Sequence, residues 1–79
     1  MNNKFIISLA GRDKGRIFVV VDDSEENYVS IADGMLRSVD KPKRKKRRHV
    51  QLLTLAPYEG PRTNRALAGA VKNAAACGK

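Results

Sequence analysis

The sequence predicts a mainly β protein, a small barrel of four or five short strands followed by a C-terminal α-helix. Apolar, β-branched segments recur through the first 55 residues, and Asp33-Gly34 between two of them is a strong hairpin signal. A stretch rich in proline and glycine then separates these segments from an alanine-rich one. We favour a barrel over an open meander because closure removes exposed strand edges.

Two strands are expected before residue 22. The first is Lys4–Leu9, whose Phe5, Ile7 and Leu9 alternate with other residues and so share one face. The second is Arg16–Val21, the most apolar run in the chain, whose branched and aromatic side chains favour a strand buried on one or both faces.

Three further strands complete the predicted sheet. Asn27–Ala32 alternates imperfectly, with Val29 and Ile31 on one face. The Asp-Gly turn leads into a short strand, Met35–Val39, and His49–Leu55 recovers enough apolar character to close the sheet as a fifth strand.

The chain divides into three parts. Residues 1–55 form the barrel, including a basic segment at 41–49, residues 56–62 form a linker, and residues 63–79 form the helix and tail. Thr63 or Asn64 caps a helix that runs to about Ala76. One weak apolar face of this helix comprises Leu67, Val71, Ala74 and Ala75. A helix this short is marginal alone, so it docks on the barrel or a partner, or it frays.

The positive charge is concentrated in one segment. The formal net charge is +8, yet Arg37–Arg48 alone holds eight basic residues and one acidic residue. This imbalance indicates a polyanionic partner. Because six consecutive cations repel one another, we expect Lys43–Arg48 to be extended until phosphates neutralise it. The segment then positions the protein on nucleic acid without reading sequence.

A second basic element precedes the second strand. Gly11 and Gly15 allow positive φ and a tight turn, and three cations, Arg12, Lys14 and Arg16, lie between or beside them. The spacing alone fits a binding loop on a rigid strand and a simple charged hairpin turn equally well.

The few aromatic residues limit the kind of nucleic acid. There are two Phe, two Tyr and no Trp, and the pattern places both phenylalanines in the core. Stacking therefore does not dominate binding, and recognition of structured RNA by phosphate and shape fits better than single-strand binding.

The sequence does not assemble an active site. His49 is the only histidine and has no neighbouring nucleophile, and the acidic cluster at residues 22–26 is expected to be a solvated turn because its spacing does not match a calcium loop. The single Cys77 has no cysteine partner. We therefore expect no catalysis, no cofactor, no metal and no small-molecule substrate. With no signal-peptide pattern and no apolar run long enough for a bilayer, a cytoplasmic location without membrane contact is the simplest expectation.

The segment Leu9–Val21, Leu-Ala-Gly-Arg-Asp-Lys-Gly-Arg-Ile-Phe-Val-Val-Val, resembles the KOW motif of ribosomal and transcription-elongation proteins. The chain continues with Tyr28-Val-Ser-Ile-Ala-Asp-Gly34, then Lys41-Pro-Lys-Arg-Lys, then His49. This ordered set is similar to small KOW-domain RNA-binding proteins related to the large-subunit ribosomal protein of the fourteen-e type. The resemblance covers about Phe5 to Leu52.

The resemblance implies an SH3-like barrel of the KOW type that binds RNA in or near the ribosome. It assigns Gly11, Gly15 and Gly34 to structural turns. The residues that it places against RNA are Arg12, Lys14, Arg16, Arg37, Lys41, Lys43, Arg44, Lys45, Lys46, Arg47, Arg48 and His49.

We therefore predict a non-enzymatic RNA-binding protein that clamps a phosphate backbone, with ribosomal RNA as the ligand that the resemblance favours. The protein is either a ribosome component or an accessory factor of translation. One alternative is an SH3-like protein-interaction module of the transcription or translation machinery. Another is a sequence-independent DNA binder.

Overall fold

The computed structural model describes residues 1–77, with side chains to residue 76; residues 78 and 79 of the predicted tail lie outside the described residues. The elements in chain order are β1 (Phe5–Ser8), β2 (Ile17–Asp22), β3 (Tyr28–Ala32), β4 (Lys43–Lys46), a 3-10 turn (Arg47–His49), β5 (Val50–Leu52) and α1 (Asn64–Cys77). The predicted mainly β class with a C-terminal helix is confirmed.

The five strands form one antiparallel sheet in the order β4-β3-β2-β1-β5. β1 lies between β2 and β5, so the last strand of the chain pairs with the first. A register shift between Val20 and Asp22 interrupts the β2–β3 ladder near its end. Such irregularities bend a strand and increase its twist.

Both faces of the sheet are covered, because the strands contribute side chains to two apolar clusters. One cluster lies against the helix and contains Phe5, Val19, Ala32, Leu67, Val71 and Ala74. The other lies on the opposite face and contains Ile6, Phe18, Val20, Val29, Ile31 and Val50. The nearly continuous apolar run of β2 is typical of a strand buried on both faces.

The prediction of which side chains of the first strand face the core was wrong. Ile6, which the alternation assigned to the outside, is fully buried, whereas Leu9 is 43% exposed and lies beyond the end of β1. Phe5 is buried on the helix side. The error follows from assuming one buried face in a strand that has two.

The predicted strand Met35–Val39 is also absent. The carboxylate of Asp33 accepts hydrogen bonds from the backbone N–H groups of Met35 and Arg37, at 2.9 and 3.0 Å. These two backbone N–H groups would otherwise pair with a neighbouring strand, and here they stabilise a turn instead. The fourth strand comes from Lys43–Lys46 instead, and the fifth, Val50–Leu52, is shorter than predicted.

The predicted C-terminal helix forms and docks on the sheet, which was one of the three predicted alternatives. The hydroxyl of Thr63 accepts a hydrogen bond from the Ala66 N–H, at 3.2 Å, which is the arrangement of an N-cap. Leu67, Val71 and Ala74 are buried against the sheet, whereas Ala75 is exposed. Within residues 1–77, no helix is both long enough and apolar enough to cross a membrane.

The segment before the helix is fastened to the sheet. The Tyr58 N–H donates to the Asn3 carbonyl at 2.7 Å, and the Tyr58 ring meets the edge of Phe5, with centroids 6.4 Å apart. Arg62 donates to the Val21 carbonyl and to the side-chain oxygen of Asn3. These contacts hold the segment before the helix on the same face of the sheet as the helix itself.

Candidate nucleic-acid interface

The site is organised around the carboxylate of Asp13, which lies in the loop between β1 and β2. Lys45 donates to one of its oxygens at 2.8 Å and Lys43 donates to the other at 2.8 Å. The Ser8 hydroxyl donates to the first oxygen at 2.7 Å. Asp13 and Lys45 are 6% and 7% exposed, so this network connects the glycine loop to the basic segment through a buried ion pair.

The pKa of Asp13 reflects this environment. Burial disfavours the charged carboxylate and raises the pKa, but the hydrogen bonds from Lys43, Lys45 and Ser8 outweigh it, and the pKa of Asp13 lies far below its ordinary value. The carboxylate is therefore ionised at neutral pH and holds both lysines in place.

The glycine loop is rigid because its backbone is hydrogen-bonded at several points. Gly11 and Gly15 both have φ of +86°, which confirms that these positions need glycine conformations. The Gly15 N–H donates to the Ser8 carbonyl at 2.8 Å, and the Lys45 ammonium donates to the Ala10 carbonyl at 2.6 Å. The loop thus presents its outward side chains from a fixed position.

Lys43–Lys46 is extended, as expected, but it forms the strand β4, and strand alternation divides its side chains between two faces. Lys43 and Lys45 pair with Ile31 and Val29 of β3 and lie on the core side, where Asp13 receives them. On the other face, the Arg44 guanidinium makes a two-oxygen contact with Glu25 and lies 3.7 Å from the centre of the Tyr28 ring. Such stacking of arginine on an aromatic ring is favourable.

The acidic turn at residues 22–26 is mostly exposed, as predicted, and it is also the second source of ion-pair partners. Asp23 binds the N-terminal ammonium at 2.6 Å and also contacts Arg47. Hydrogen bonds from the N-terminal ammonium and Arg47 lower the pKa of Asp23, and hydrogen bonds from Arg44 lower the pKa of Glu25. No group of three metal-ligating side chains that could hold an ion occurs in the described part of the chain.

Two cations of the run, Lys46 and Arg48, are exposed and make no ion pair among residues 1–77. They line a cleft of about 410 Å³ together with Asn27, Tyr28 and Arg47. His49 follows in the 3-10 turn and is half-buried.

The remaining predicted cations lie in the two loops beside the other end of β4. Arg12, Lys14, Arg16, Arg37 and Lys41 are all exposed. Arg16 lies 3.6 Å from the buried carboxylate of Asp33. A cleft of about 380 Å³ runs between these loops, and its lining residues are Arg12, Asp13, Phe18, Leu36, Arg37 and Lys43. The structure therefore places cations of the glycine loop, the 33–42 segment and β4 around one cleft.

Two features of the site escaped sequence reasoning. Asp13 was not singled out, although it is the one acid between the two glycines of a basic loop. Leu36 was assigned to a strand, but it is 61% exposed beside the cleft. The position of Asp13 among three cations is the signal that could have identified it as a residue that forms ion pairs. No pattern in the sequence indicates that Leu36 faces solvent.

Comparisons with protein-family models and with curated proteins found no match to this chain.

Proposed function

We propose that this chain is a non-enzymatic RNA-binding protein built on an SH3-like barrel of the KOW type. The sheet order, in which β1 pairs with both β2 and β5, is compatible with closure into such a barrel. Its ligand is a structured RNA, and the KOW resemblance favours ribosomal RNA bound by a ribosome component or an accessory factor in the cytoplasm.

The observation that carries the proposal is the cleft between the glycine loop and the 33–42 segment. Arg12 and Arg37 line it, and its one acid, Asp13, is already bound by two lysines, Lys43 of the lining and Lys45. The cleft therefore has a surplus of positive charge in a concave, rigid setting, which attracts a phosphate backbone.

The division of the basic run reduces the number of cations available to RNA. Lys43, Arg44, Lys45 and Arg47 each contact a carboxylate, and Lys45 is buried. We assign Lys45 to the scaffold and phosphate contact mainly to the exposed set, which is Arg12, Lys14, Arg16, Arg37, Lys41, Lys46 and Arg48.

A peptide-binding module has less support. Grooves for extended peptides are usually lined by aromatic side chains. Here Phe5 and Phe18 are buried, Tyr58 packs against Phe5, and Arg44 lies over the ring of Tyr28. Duplex DNA carries the same phosphate groups as RNA, so competition between the two nucleic acids distinguishes an RNA-binding protein from a sequence-independent DNA binder.

Replacing Arg12 and Arg37 together by glutamine should weaken binding of a structured RNA by about tenfold or more at 0.1 M salt. Loss of two phosphate contacts should also reduce the slope of log affinity against log salt by roughly 1.5. The measurement is a fluorescence-anisotropy titration at several salt concentrations.

The matched control replaces Arg65 and Lys72 by glutamine. Both are exposed cations on α1, outside the lining of the cleft, so the control removes the same charge. Its RNA affinity should stay close to wild type. Equal losses in the two variants would mean that only net charge matters and would contradict a site in the cleft.

A further inference from the structure

The turn that follows β3 exposes two large apolar side chains although its backbone is firmly held. Met35 is 48% exposed and Leu36 is 61% exposed. The fully buried Asp33 accepts hydrogen bonds from the N–H groups of Met35 and Arg37. The Arg37 carbonyl accepts from the N–H groups of Asp33 and Gly34, at 3.1 and 3.0 Å.

This rigidity means that the apolar side chains are presented in one place. Gly34 has φ of +78° and lies so close to α1 that an added Cβ would overlap the backbone of Asn64. The turn is thus fixed to the helix on one side, and its tip projects away from both apolar clusters, which contain neither Met35 nor Leu36. A turn held in this way loses little conformational freedom when a ligand packs against its side chains.

The surroundings of Leu36 identify the chemistry of the ligand. Leu36 lines the same cleft as Arg12, Arg37 and Lys43. A ligand in this cleft must offer an apolar face to leucine and anionic groups to the two arginines, because Lys43 is already paired with Asp13. A nucleotide does both, since its base has an apolar face and its flanking phosphates are anionic. A purely apolar protein surface would leave Arg12 and Arg37 without partners, since Lys43 alone of the three is paired with Asp13.

We propose that Leu36, with Met35 beside it, packs against an unpaired nucleobase whose flanking phosphates are held by Arg12 and Arg37. Bases in a continuous duplex are stacked on both faces, so the leucine needs a base that has left the stack or lies at a loop or internal junction. This inference depends on the proposed RNA-binding function and defines its preferred ligand as structured RNA that contains unpaired nucleotides.

The test compares two RNA duplexes of equal length. One is fully paired, and the other has a short symmetric internal loop at its centre, so that both carry the same number of phosphates. Wild-type protein should bind the RNA with the internal loop about fivefold to tenfold more tightly. Leu36→Ser should remove this preference, so that the variant binds the two RNAs with equal affinity.

The matched control is Leu52→Ser. Leu52 is 48% exposed on β5 and does not line the cleft, so this variant should keep the wild-type preference. Thermal melts of both variants should match that of the wild type, because both positions are exposed.

The outcomes separate the two proposals. Equal, salt-dependent affinity of the wild type for both RNAs would overturn the inference about Leu36 and leave RNA binding standing. A Leu36→Ser variant that keeps the preference would also overturn it. Failure of the wild type to bind either RNA at low salt would overturn both.

Discussion

Gly34→Ala should destabilise the fold by about 2–5 kcal/mol, the sum of strain at positive φ and crowding of a packed interface. The φ of Gly34 is +78°, and a Cβ there would overlap the Asn64 carbonyl and lie 2.9 Å from the Ala68 amide nitrogen. The obstacle is helix backbone, which cannot rotate away as a side chain can. The change is measured by urea denaturation followed by circular dichroism.

Gly15→Ala is the matched control. Gly15 has a similar φ of +86°, but no atom lies within 4 Å of an added Cβ. We therefore expect only the conformational penalty, about 1–2 kcal/mol. If both variants lost the same free energy of unfolding, the close contact between Gly34 and α1 would not contribute to stability.

Asp13→Asn should lower the free energy of unfolding by about 3–5 kcal/mol, because it leaves the buried ammonium of Lys45 without a counter-charge. Lys43 loses its partner in the same step. The control is Glu25→Gln, which removes an exposed partner of Arg44 and should change stability little. Comparable losses in the two variants would contradict a special role for the buried network.

The same network predicts an acid-sensitive fold. The pKa of Asp13 in the folded state lies far below its ordinary value of about 3.9, so its contribution is fully present above that value. The contribution is lost as the pH falls below about 4, toward the folded-state pKa. Denaturation of the wild type between about pH 6 and pH 2 should therefore show decreasing stability, and the Asp13→Asn variant should show a weaker dependence.

The sequence predicted those elements whose signal is local. β2 and β3 follow from branched apolar runs, and the helix follows from the Thr63 cap and the periodic apolar residues Leu67 and Val71. These patterns are read within one element, so no knowledge of the rest of the chain is needed.

The basic run was misread because its structure depends on distant partners. Lys45 becomes a buried strand residue only because the carboxylate of Asp13, 32 positions earlier, accepts a hydrogen bond from its ammonium group. Arg44 likewise depends on Glu25, 19 positions earlier. The repulsion among neighbouring cations can be predicted from the sequence. Its relief by carboxylates of a distant segment can be seen only in the folded structure. Four of the cations that the sequence assigns to RNA binding, Lys43, Arg44, Lys45 and Arg47, form ion pairs with carboxylates of this chain.

The most direct test of the proposed function is the salt dependence of RNA binding by the wild-type chain, with duplex DNA of equal length as a competitor. If about five of the exposed cations contact phosphates, log affinity should fall linearly with log salt with a slope near −4, and the DNA should compete poorly. An affinity that does not change with salt would contradict phosphate clamping. Equal competition by the DNA duplex would contradict the assignment of RNA as the ligand.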